Sequence, residues 1–80
     1  MNDPETLLKR ITIDPGVLVG KPCIRGMRIS VEQILEELAA GISQEEILQE
    51  YSVLESEDLR AVLLYAKELV ALERVYPVGQ

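Results

Sequence analysis

The sequence predicts a mainly α protein: three helices in a helix-turn-helix arrangement, preceded by short N-terminal β-strands. Three observations carry this. From Val31 onward, apolar residues recur at helical spacing. Gly41 stands between two helix-start patterns, Ser30-Val31-Glu32-Gln33 and Ser43-Gln44-Glu45-Glu46, and so marks a sharp turn between helices. Before Val31, β-branched residues alternate with Gly and Pro breaks in pieces too short to stand alone.

Residues 1–10 read as an N-terminal arm with Leu7 and Leu8 as its apolar handle. Ile11-Thr12-Ile13 is a short strand, Asp14-Pro15-Gly16 a turn, and Val17-Leu18-Val19 a second extended piece that Gly20-Lys21-Pro22 breaks. Cys23-Ile24 and Met27-Arg28-Ile29 flank Arg25-Gly26, a tight turn or bulge, because glycine tolerates positive φ. The first helix starts at the Ser30 cap and carries Val31, Ile34, Leu35 and Leu38 on one face. Gly41 ends it as a left-handed cap. The second helix follows the Ser43 cap, with Ile47, Leu48 and Tyr51 as its face and Ile42 as a staple. The third starts near Glu55 or Ser56 and runs to about Arg74, with Leu59, Val62, Leu63, Ala66, Leu69 and Val70 as its main stripe. Arg60, Lys67 and Arg74 repeat along a solvated edge. One domain thus spans residues 11–75, and 76–80 are an extended tail that Pro77 keeps out of the helix. The same signals suit any antiparallel three-helix bundle.

The third helix has an apolar surplus. Ala61, Leu64, Tyr65 and Leu72 lie off the main stripe, and each large one is worth roughly 1.5–3 kcal/mol if buried. An 80-residue chain that is 48% hydrophobic cannot easily hide them all, so these four residues are the expected interface of a homodimer. A wide core stripe is the plainer alternative.

Charge is divided unevenly. Residues 1–30 carry Lys9, Arg10, Lys21, Arg25 and Arg28 against Asp3, Glu5 and Asp14, a balance of +2; residues 31–80 carry Arg60, Lys67 and Arg74 against eleven carboxylates, a balance of −8. Such asymmetry points to a partner, with a solvated acidic surface as the plainer alternative. Met1-Asn2-Asp3-Pro4-Glu5 has no signal-peptide pattern, and no apolar run reaches the roughly 18 residues of a membrane span, so a cytoplasmic chain without membrane contact is expected.

Catalysis is not expected. Histidine, the commonest general base and metal ligand, is absent. The carboxylates at 32, 36, 37, 45, 46 and 50 fall on helix surfaces, where an acid–base pair lacks the dry pocket it needs. Cys23 has no partner for a disulfide, a thiolate metal site or a Cys–His nucleophile, and reads as a buried structural residue. Gly16 through Lys21 resembles a phosphate loop, but it has three residues between its glycines where four are needed, and Pro22 removes a donor. No cofactor, metal or small-molecule substrate is therefore expected.

Lys21, Arg25 and Arg28 form a basic cluster before the first helix, the candidate contact for a partner protein or nucleic acid. Glu55, Glu57 and Asp58 open the third helix and would repel phosphates, which favours a carboxylate of a dimer mate or protein partner over DNA.

Gly20-Lys21-Pro22-Cys23-Ile24-Arg25-Gly26-Met27-Arg28-Ile29-Ser30-Val31 resembles the signature of the prokaryotic family called domain of unknown function 433. The Gly41 turn, Ser43 through Ile47, Tyr51 and Glu57 through Ala66 follow in that family's order, so the resemblance runs from about Ile11 to Ala71. Met27 stands where the family usually has Thr, Ser52 and Ser56 where it tends to have Pro, and Glu55 where it often has a Thr cap. The family's members resemble homeodomain-like or winged helix-turn-helix proteins, and many are regarded as antitoxins. The resemblance implies an antitoxin-like adaptor that binds and neutralises a PIN-like toxin nuclease, with DNA-binding autoregulation. The alternative is a DNA-binding transcription regulator with no toxin partner. Lys21, Arg25 and Arg28 are the polar positions that carry over as contacts; no catalytic residue does.

Overall fold

The computed structural model describes residues 3–72, in the order α1 (Pro4–Leu8), β1 (Ile11–Thr12), β2 (Cys23–Ile24), α2 (Val31–Ala39), α3 (Gln44–Glu50) and α4 (Ser56–Leu72). The architecture is mainly helical with a small N-terminal sheet, as expected. The end of the third helix at Arg74 and the tail 76–80 lie outside the described residues.

The arm forms a short helix. Asp3 accepts a hydrogen bond from the Thr6 N–H at 2.9 Å, and Pro4 holds the first helical position, where its missing N–H costs nothing. Leu7 is buried and α1 packs along α4. β1 and β2 are antiparallel, with Ile11 opposite Ile24 and Thr12 opposite Cys23. Val17-Leu18-Val19 is not a strand: Leu18–Gly20 form one 3-10 turn. Its backbone is satisfied locally, by Val17 N–H to Asp14 O at 2.8 Å and Gly20 N–H to Val17 O at 3.1 Å, so it needs no sheet neighbour. Arg25 (φ 47°) and Gly26 (φ 74°) make the expected tight turn, closed by Met27 N–H on Ile24 O at 2.9 Å. Two successive positive φ values match the right-handed twist of flanking strands.

The Ser30 hydroxyl caps α2 by accepting from Gln33 N–H at 3.0 Å, but the Gln33 amide reaches Tyr51 instead of closing the capping box. The box at Ser43 and Glu46 is complete. Between them, Gly41 (φ 91°) donates to Leu38 O at 3.0 Å and Ile42 N–H donates to Glu37 O at 3.1 Å, the paired bonds of a Schellman ending. A Cβ on Gly41 would meet open space, so a substitution there is strained but not crowded. Gly41→Val is therefore expected to cost about 1 kcal/mol or slightly more from conformation alone, read as a lower thermal midpoint.

The core gathers Ile24, Val31, Ile34, Ile47, Leu54, Leu59 and Val62. The α4 stripe splits along its length. Leu59 and Val62 are fully buried, whereas Leu63, Leu69 and Val70, expected in the same stripe, are exposed. Lengths give the reason for Leu69 and Val70: α4 has 17 residues and α2 only 9, about 26 Å against 14 Å, so the second half of α4 outruns the helices that cover it.

Candidate functional site

The basic cluster does not stand as a cluster. Arg25 grips Asp58 with two bonds, Nε to Oδ1 at 2.9 Å and Nη2 to Oδ2 at 2.7 Å, and Nη2 also donates to Val53 O at 2.8 Å. Arg10 Nη1 donates to Asp58 Oδ1 at 2.9 Å and to Glu55 Oε1 at 2.8 Å. Glu55 N–H completes the set on Asp58 Oδ2 at 2.8 Å. Within the chain, the carboxylate that meets Arg25 is Asp58. Asp58 is fully buried. Burial raises its pKa, but the bonds from Arg25, the Glu55 N–H and Arg10 outweigh burial and hold it below the usual carboxylate value. Lys21 reaches Glu32 at 3.0 Å across an exposed surface, a pair of little energetic weight. Arg28 is exposed, without a side-chain hydrogen bond or ion pair among the described residues.

Asp58 and Arg10 were missed because the opening carboxylates of the third helix were read only for their effect on phosphates. A usable signal was present: Asp58 lies four residues before Val62 and beside Leu59, on the apolar face, where a carboxylate requires a cationic partner.

A second polar group joins α2 to the end of α3. The Tyr51 hydroxyl accepts from Gln33 Nε2 at 2.6 Å and donates to Glu37 Oε2 at 2.7 Å, and the buried Glu37 Oε1 has no hydrogen-bond partner among the described residues. The Glu37 bond, then burial, raises the Tyr51 pKa; burial, then Glu37, raises that of Glu50. Cys23 is buried as expected, its thiol donating to Lys21 O at 3.2 Å. No group of three or more His, Cys, Asp or Glu side chains fit to hold a metal occurs among the described residues, and no helix there is long and apolar enough to cross a membrane.

What remains available is apolar. Leu63, Leu69, Val70 and Leu72 are 42, 48, 67 and 72% exposed. Of the four expected interface residues, Ala61 is fully buried within the chain and offers no surface, and Leu64 and Tyr65 are half-buried; Leu72 alone of them is fully presented. A groove of about 500 Å³ runs between α2 and the C-terminal half of α4, with Pro22, Val31, Leu35, Tyr65 and Leu69 as its apolar lining and Lys21, Glu32 and Glu36 at its polar edge.

Residues 11–66 match the family described as protein of unknown function (DUF433). An uncharacterized protein, y4eO, of Sinorhizobium fredii (strain NBRC 101917 / NGR234) is 35% identical over 57 residues, which are 71% of this chain and 26% of that protein. The crystal structure of a DUF433 member from Anabaena variabilis superposes with a TM-score of 0.73 at 34% identity, over 80% of this chain and 63% of that one. This chain spans about a quarter of y4eO and under two thirds of the Anabaena protein. The match over residues 11–66 covers the hairpin, the Arg25–Asp58 pair and most of the helical body, and the chain belongs to the DUF433 family.

Proposed function

We propose that this chain is a non-catalytic, antitoxin-like helix-turn-helix adaptor that holds a protein partner on the exposed apolar half of α4. The observation that carries the reading is the run of Leu69, Val70 and Leu72, apolar side chains about half or more exposed on a helix that outruns its own core. Leu69 and Leu72, one turn apart, share a face, and an exposed apolar patch marks an interaction site. The Gly41 turn between two capped helices supports the helix-turn-helix assignment. The partner implied by the family resemblance is a PIN-like nuclease. DNA binding is the weaker reading, because Arg25 is held by Asp58 and Lys21 faces Glu32, which leaves Arg28 as the one cation of the cluster unopposed among the described residues. Co-expression with a PIN-type nuclease encoded beside the chain is the test. The complex is expected to co-purify with its ribonuclease activity suppressed, and Leu72→Ser should abolish retention where Arg28→Ala does not. Retention lost on Arg28→Ala alone, or a salt-sensitive gel shift with no protein partner, would favour the transcription regulator.

A second copy fits the same reading. Leu63 and Val70 are seven residues apart and share a face of α4 distinct from that of Tyr65 and Leu69. Sedimentation at micromolar concentration is expected to give about twice the 9.0 kDa chain mass, and Val70→Glu a monomer. A wild-type monomer would remove self-association from the account.

A further inference from the structure

We infer that the groove between α2 and the C-terminal half of α4 receives a basic amphipathic helix of a partner protein. The inference rests on the adaptor reading and names the chemistry of what it holds.

The lining is mostly apolar. Val31 and Leu35 from α2 and Tyr65 and Leu69 from α4 line it, each pair four residues apart, together with Pro22. Two such ridges leave a channel for one row of side chains. An amphipathic helix supplies that row at i, i+3, i+4 and i+7. The volume, about 500 Å³, accommodates a few branched side chains and not a folded domain.

The edge selects charge. Glu32 and Glu36 stand one turn apart on the exposed side of α2, a like-charge pair that disfavours the helix. Lys21, 3.0 Å from Glu32, offsets one of them. Glu36 is exposed and has no ion pair among the described residues. A lysine or arginine flanking the apolar row would meet it, in a segment, residues 31–80, with a balance of −8. The same edge disfavours other occupants. A second copy carries a net charge of −6 and an identical acidic edge. Nucleic acid would set phosphates against Glu32 and Glu36.

The test uses the full chain and two synthetic, fluorescently labelled helical peptides of about 15 residues, each with a leucine row at i, i+3, i+4 and i+7. One carries lysines beside the row and the other glutamates. Polarisation titrations are run at low salt, about 50 mM, and repeated at higher salt. The lysine peptide is expected to saturate at one per chain and bind at least about tenfold tighter than the glutamate peptide. Leu69→Ser should weaken it about tenfold, and Glu36→Lys should erase the preference between the peptides. Both substitutions are on exposed positions, and circular dichroism checks that the fold is kept. Equal affinity for the two peptides, no binding of either, or indifference to Leu69→Ser overturns the inference. So does a dimer that Leu69→Ser dissociates, since a second copy would then fill the groove. If the nuclease is still retained through Leu72 in any of those cases, the adaptor reading survives and only the groove assignment falls.

Discussion

Asp58→Ala is expected to remove about 3–5 kcal/mol of folding stability, seen as a collapse of the urea midpoint. The side chain is fully buried and accepts four hydrogen bonds, from Arg25 twice, Arg10 and the Glu55 N–H. Its loss leaves Arg25 without its counter-charge and Arg10 with Glu55 alone, and frees the start of α4 from the hairpin. Both arginines reach solvent, so the cost sits toward the lower end of that range. Even so it is a large share of the roughly 4–12 kcal/mol that an 80-residue domain holds. Asp58→Asn keeps the shape but loses the charge, and should cost less. The pH dependence has a definite sign. The folded pKa of Asp58 lies below its unfolded value, near 3.9, so its stabilisation is fully present above that value and is lost as pH falls through the folded pKa. Wild-type stability should therefore drop below about pH 4, and Asp58→Ala should lack that part of the drop. Glu46, lowered by its bond to the Ser43 N–H, acts in the same direction at the α3 cap.

Leu59→Ala comes next in size. Leu59 is fully buried in the cluster with Ile24, Ile34, Ile47 and Val62, where α4 meets α2, α3 and the hairpin. Truncation removes the transfer energy of the lost carbons and leaves a cavity, together about 2–5 kcal/mol. The short surrounding helices are fixed at both ends by caps and the Schellman turn, which limits collapse into the void. Thermal and urea unfolding should agree on the loss. A cost under about 1 kcal/mol would mean that the core is centred elsewhere.

The elements were legible wherever local chemistry decides them. The Ser43 box, the Gly41 ending and the Arg25-Gly26 turn are each set by a few neighbouring residues, and each has the expected form. Misreadings occurred where distant residues decide. One exception is local: Val17-Leu18-Val19 has strand-like composition, but hydrogen bonds within residues 14–21 curl it into a turn with positive φ at Leu18, Val19 and Gly20. The α4 stripe has one uniform period, yet its burial depends on how far α2 and α3 extend beside it, which periodicity does not encode. Ala61 was assigned to an interface and is buried within the chain. Arg25 looked free because its counter-ion is 33 positions away in sequence.

Two roles are therefore divided between two parts of the chain. Arg25, inside the segment that most resembles the family signature, holds the hairpin to α4; the apolar end of α4 stays exposed, where the proposed partner would bind. Urea denaturation of Arg25→Ala beside Leu72→Ser tests that division most directly. Arg25→Ala strips the paired bonds from a buried carboxylate, and is expected to cost about 2 kcal/mol or more. Leu72→Ser changes a side chain that is 72% exposed, and should stay within about 0.5 kcal/mol of wild type. The reverse order, with Arg25→Ala neutral and Leu72→Ser strongly destabilising, would contradict the account: the arginine would then be a free contact and the end of α4 part of the core.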